Sequence, residues 1–156
     1  YHGYEKVLVL SGDKDFMQLQ RYPNVDQFSP IMKRWLRHDN PLSYLREHII
    51  KGDRGDGIPN FLSNDDVFVV GGRQKPVQKK KLDVWVDSDP EQFCDENMMR
   101  NYKRNEMLID LTKTPQSIVD DILNTFENYE VPPRSGLLNY FVKNKMKLMM
   151  ENIQEF

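Results

Sequence analysis

The sequence has one cysteine, no long apolar run and almost no net charge, and each shortage removes a class of answer. Cys94 by itself can neither close an internal disulfide nor build a cysteine-based zinc site, which suits a reducing cytoplasm. The longest purely apolar runs are short, such as Val7-Leu8-Val9-Leu10, far below the roughly 20 residues that a membrane span needs. Lys and Arg number 22 against 24 Asp and Glu, so the formal charge of −2 points neither toward nor away from nucleic acid. There is no internal repeat and no low-complexity tract. The opening Tyr1-His2-Gly3-Tyr4-Glu5-Lys6 has no initiator methionine and none of the features of a signal peptide. The expectation is a fragment whose beginning has been removed.

What is present is a chain of 156 residues, 38% hydrophobic and 11% aromatic, of single-domain length with enough apolar mass for a core. Its charge is unevenly placed. Residues 73–81 carry Arg73, Lys75, Lys79, Lys80 and Lys81 without an acid, and residues 83–96 carry Asp83, Asp87, Asp89, Glu91, Asp95 and Glu96 without a base. Two readings stand: a solvated basic loop beside an acidic helix start, or a loop that contacts phosphates through clustered lysines.

Apolar periodicity predicts a buried parallel strand over Lys6–Leu10 and, after a turn through Ser11-Gly12-Asp13, a helix carrying Phe16 and Leu19. Extended pieces at Val25–Phe28 and Lys33–Arg37 flank Ser29-Pro30 as a hairpin. Pro41 opens a helix with the stripe Leu42, Leu45, Ile49, ending at Lys51-Gly52. A turn-rich stretch runs from Asp53 to Asn60, and residues 71–81 form a polar loop. Helices follow at Pro90 to about Lys103, at Pro115 with Ile118, Ile122 and Phe126 on one face, and, after the break at Pro132-Pro133, at Leu137–Ile153. The pattern is α/β, one or two core strands followed by a mostly helical region. Trp35, Trp85, Met146, Met149 and Met150 read as core. His2, His38 and His48 read as surface or packing residues without metal-ligand spacing.

Two pairs of aspartates carry the chemistry. Asp13 and Asp15 stand just past the carboxyl end of the first strand, where open α/β sheets present ligands, and two carboxylates there suit a hard divalent cation. They equally suit a helix start, Asp13 as cap and Asp15 favoured by the dipole. Asp53 and Asp56 lie in Gly52-Asp53-Arg54-Gly55-Asp56-Gly57-Ile58-Pro59, a tight backbone able to approach another chain closely, with Arg54 as a phosphate contact. The other reading is a glycine turn whose aspartates bond their own backbone.

Together, about forty residues apart and in this order, the two pairs make the chain resemble the 5′-nuclease (PIN-like) family. That family includes flap endonucleases and the 5′-exonuclease domains of bacterial DNA polymerases, and the chain looks most like its T-even-type bacteriophage RNase H branch. The matching pieces are Val7 to Phe16 with Gln18-Leu19, Tyr22-Pro23-Asn24-Val25, Phe28-Ser29-Pro30, Lys51-Gly52-Asp53 with Asp56, Leu108-Ile109-Asp110-Leu111, Pro132-Pro133-Arg134, Tyr140-Phe141-Val142-Lys143, Asn152-Ile153 and Glu155-Phe156.

The resemblance implies a replication nuclease of the infected bacterial cytoplasm that removes RNA primers and flaps. Asp13 and Asp15 match its catalytic strand-end carboxylates, and Asp13, Asp15, Asp53 and Asp56 match part of an acidic cluster that holds two Mg2+ ions. Residues 1–50 would complete the α/β core, and residues 71–156 would form the helical carboxyl-terminal region. Residues 51–70 would be a helix–turn–helix gripping duplex through Gly52, Arg54, Gly55, Gly57 and Ile58, with a monovalent cation on backbone carbonyls. Lys79, Lys80 and Lys81 would add phosphate contacts. Implied partners are duplex, nicked or forked DNA, RNA–DNA hybrid, the phage single-strand-binding protein and the sliding clamp, with no membrane. The family has Ser or Thr, Asp and Asn where this chain has Gly55-Asp56-Gly57, and its remaining acidic residues belong to an amino-terminal half. The rival is a non-catalytic DNA-binding or replication-protein docking module of the same fold.

Overall fold

In a computed structural model, residues 6–131 and 133–156 are described. The opening residues 1–5 and Pro132 of the expected chain break lie outside them. Two compact units divide at Thr114 and Pro115. The expected divisions after residues 50 and 70 fall inside the first unit.

The first unit opens with β1 (Val7–Leu10), which pairs in parallel with β2 (Val25–Ser29), Val7 opposite Val25 and Leu10 opposite Phe28. β2 returns antiparallel to β3 (Arg34–Leu36), with Phe28 opposite Trp35 and their rings edge to face at 5.3 Å. The hairpin therefore forms as expected, and one sheet holds three strands rather than one or two. Two expectations fail here. Leu8 and Leu10, alternate residues of β1, are 52% and 65% exposed, and Trp35 lies in the open on β3 rather than in the core.

Between β1 and β2 the chain makes a 3-10 helix, Asp15–Arg21. It is held by buried glutamines rather than by apolar contacts alone. Gln27 on β2 donates from Nε2 to the carbonyls of Ser11 (2.9 Å) and Asp13 (2.6 Å), which fixes the strand-end loop. Gln18 donates to the carbonyl of Ile109 (3.0 Å) and accepts from the amide of Leu111 (2.9 Å).

Helix α1 (Pro41–Lys51) starts where Asn40 accepts from the amide of Ser43 at 3.0 Å, with proline in its first turn. It buries Leu45, Ile49 and Ile50, while Leu42 of the expected stripe is exposed. These three join Phe61, Leu82, Val86, Tyr102 and Ile109 in the core, and the Phe61 ring meets those of Trp85 and Phe93 edge-on. Burying each such side chain stabilises the fold by roughly 1.5–3 kcal/mol.

No second helix follows the turn at 52–59. Residues 60–72 run as turns because polar side chains take over the backbone: Asn60 accepts from the amide of Leu62, and the Ser63 hydroxyl from that of Lys75. The helix–turn–helix expected over 51–70 thus has one helical arm, α1. Helix α2 (Lys79–Trp85) takes in the three lysines expected in a loop, because Leu82 and Val86, four apart, are both drawn into the core.

The helix expected from Pro90 is two, α3 (Pro90–Phe93) and α4 (Glu96–Ile109), since Asp95 caps the second through the amide of Met98 at 2.8 Å. In the second unit, α5 (Gln116–Glu127) leaves Ile118, Ile122 and Phe126 largely exposed. The expected final helix is broken into α6 (Leu137–Lys143) and α7 (Lys147–Glu151) at Lys145, whose φ is 56°. There Phe141, not the methionines, is the buried side chain; Met149 is 37% exposed. No described helix is long and apolar enough to cross a membrane.

Candidate metal centre

Asp13 lies in the loop leaving β1, where its amide donates to the Ser11 hydroxyl (3.1 Å) and its carboxylate accepts from the amide of Asp15 (3.0 Å). Lys14, not Asp13, stands at the cap position of the 3-10 helix, so the Asp13 carboxylate makes a local bond one residue earlier and still faces solvent. Asp15 is half-buried at the start of the 3-10 helix. Burial raises its carboxyl above the usual range against the pull of His48, and the charges of Asp13, Asp53 and Asp56 push the same way as burial.

Asp53 arrives from the far end of α1. The chain leaves that helix through Gly52 at φ 67° and ψ −177°, a conformation that glycine alone adopts readily. A Cβ there would stand 2.4 Å from the carbonyl oxygen of Ile58. The turn then closes with the amide of Ile58 on the carbonyl of Asp53 at 2.7 Å, and Asp53 Oδ1 accepts from the amides of Gly55 (2.7 Å) and Asp56 (3.3 Å). The self-bonding expected of a glycine turn is present. Desolvation pushes the Asp53 carboxyl up, but the hydrogen bonds from His48 and these amides outweigh it and hold the group below its ordinary value.

Between the two aspartates stands His48, on the last turn of α1, its side chain 13% exposed. Nε2 lies 3.0 Å from Asp53 Oδ2, and Nδ1 lies 3.4 Å from Asp15 Oδ1. One ligand atom from each of Asp15, His48 and Asp53 fits within 4.8 Å of the others. Two carboxylates and an imidazole at this separation are a donor set that fits a divalent metal ion. A cleft of about 280 Å3 alongside is lined by Lys14, Tyr44, Arg54 and others. Burial foremost, then the nearby Asp15 and Asp53 charges, raise the Tyr44 phenol.

The remaining expected residues divide. Asp56 is exposed on the turn and reaches the group through its amide and its charge. Arg54 is exposed, its guanidinium 6.0 Å from the Phe68 ring centroid. Gly55 and Gly57 shape the turn, and Ile58 packs on the core. Lys79, Lys80 and Lys81 are exposed on α2, and among the described residues no hydrogen bond or ion pair joins them to the aspartates.

His48 corrects the reading of the histidines as lacking ligand spacing. Its signal was positional: five residues before Asp53, with a helix end between them. The helix was expected, but the part that the polar side chains of α4 play in holding the turn was missed. Asn105 donates to the carbonyls of Ile49 (2.8 Å) and Pro59 (2.9 Å), Arg104 to Pro59 (3.0 Å), and Asn101 to Phe61 (3.0 Å) and Ser63 (3.1 Å). Asparagines on the same helix face as the core residues Tyr102 and Ile109 are a faint sign of such a role.

A sheet end and a glycine turn bringing carboxylates together over a helix terminus define an α/β protein with a candidate metal centre. The family described as T4 RNase H, C terminal, matches residues 43–156, and the chain belongs to it. It is 33% identical over 158 residues to the Ribonuclease H of Enterobacteria phage T4, an alignment covering 97% of this chain and 52% of that protein. The chain thus spans about half the length of that relative. It is also similar, at 19% identity and a TM-score of 0.46, to the T5 D15 protein co-crystallized with metal ions, over 83% of this chain and 56% of that one.

Proposed function

We propose that the chain is the carboxyl-terminal part of a phage replication 5′-nuclease that removes RNA primers and flaps from duplex DNA by two-metal phosphodiester hydrolysis in the infected host's cytoplasm. The observation that carries this reading is the meeting of Asp15 and Asp53 on His48, in a chain of the T4 RNase H C-terminal family. Mg2+ bound at such carboxylates would supply a stronger water nucleophile and offset charge on the phosphate. Asp13 and Asp15 are the catalytic carboxylates, and Asp53 and Asp56 complete this chain's share of the acidic cluster. Gly52, Gly55, Gly57 and Ile58 present a turn backbone that approaches a duplex closely. Arg54, and farther along Lys79, Lys80 and Lys81, meet its phosphates without reading bases.

The test is cleavage of 5′-flap duplex and of an RNA primer on DNA by the full-length protein. Asp13→Asn and Asp15→Asn should each lower turnover by orders of magnitude while substrate binding survives. Near-normal cleavage by both variants at limiting Mg2+ would overturn the assignment. Residues 1–156 alone should bind forked or nicked duplex weakly without cutting it, because four aspartates are only part of the cluster that the reading requires.

A further inference from the structure

A carboxylate accepts hydrogen bonds, so the 3.0 Å contact between His48 and Asp53 places the hydrogen on Nε2. In the neutral ring this leaves the Nδ1 lone pair facing Asp15 Oδ1 at 3.4 Å. Asp53 is itself immobilised, with one oxygen on two backbone amides and the other on His48. A carboxylate that grips one nitrogen of an imidazole, and so aims the other, is the arrangement by which proteins orient histidine ligands. Helix α1 carries the ring at its rigid end, and Asn105 ties that end to the turn through the carbonyls of Ile49 and Pro59.

We propose that His48 is a nitrogen ligand of the cation site, binding the ion through Nδ1 beside Asp15 while Asp53 orients the ring. The inference rests on the reading of this cluster as a divalent-cation site. It adds a selectivity: imidazole favours borderline first-row ions, whereas Mg2+ favours carboxylate and water. The site therefore takes Co2+ in preference to Mg2+ by more than carboxylates alone would allow.

The experiment titrates the full-length protein with Co2+ and separately with Mg2+, and records proton spectra of the Co2+ form. The expected result is a solvent-exchangeable, paramagnetically shifted resonance from His48 Nε2–H. His48→Gln keeps a donor for Asp53 but has no imidazole lone pair. It should lose that resonance and bind Co2+ roughly ten- to a hundredfold more weakly, with Mg2+ affinity near its starting value. Co2+ binding without the resonance in the unmutated protein, which needs no variant, would overturn the proposal. So would equal losses for both ions, which would make His48 only a positioning group. If neither ion binds the unmutated protein, the cation-site reading itself falls, and this inference with it.

Discussion

Asn105, fully buried on α4, donates its side-chain amide to the carbonyl of Pro59 at 2.9 Å and thereby holds the exit of the glycine turn. The same amide reaches Ile49 on α1, so one side chain spans both sides of the loop that carries Asp53. Removing it leaves two carbonyls without this donor. Asn105→Ala should cost about 2–4 kcal/mol in urea unfolding. A loss below about 1 kcal/mol would mean that water or backbone movement replaces the amide.

Gly52 and Gly57 both have positive φ, 67° and 77°, but only Gly52 has backbone where a Cβ would go. Gly52→Ala should therefore destabilise by about 2–5 kcal/mol and Gly57→Ala by roughly 1 kcal/mol. Similar losses for the two in parallel denaturation curves would contradict the close approach of Ile58 to Gly52.

The lysines of α2 are tested by salt. Replacing Lys79, Lys80 and Lys81 with alanine should weaken duplex binding equally across sequences. The slope of log affinity against log salt should fall by up to about 0.9 for every phosphate that is no longer neutralised. An unchanged slope would leave these residues as a solvated face.

Cys94 supplies a pH prediction. Burial foremost, with the neighbouring Asp95 charge, pushes its thiol from 9.0 up to about 11. The folded chain then keeps a proton that the unfolded chain releases, so this group's contribution to stability is complete below pH 9.0 and declines toward about 11. Alkylation rates followed by mass spectrometry should rise with pH around the higher value in the folded protein and around the lower one in urea. A common midpoint would contradict the burial.

Much of this was legible because local chemistry and tertiary packing agreed. The β1 run, the hairpin around Ser29-Pro30 and the helix opened by Pro41 all formed where the apolar pattern and the turn residues placed them. The encounter of Asp15 with Asp53 was legible only through family resemblance, since no local signal spans that separation. His48 was hidden because its role depends on the rotation of the last turn of α1. The lysines at 79–81 looked like loop because charge dominates that segment, yet Leu82 and Val86 decided it. The breaks at Cys94-Asp95 and Lys145 fall inside good helical periodicity, where one cap or one left-handed residue outweighs the pattern.

The central claim is that a strand-end aspartate and a turn aspartate act on one cation. Calorimetric titration of the full-length protein with Mn2+, before and after Asp15→Asn, Asp53→Asn and the two together, tests it most directly. Each single change should weaken binding at the site by roughly tenfold or more, and the double variant should lose much less than the sum of the two. Strictly additive losses, or affinity untouched by either change, would contradict a shared site.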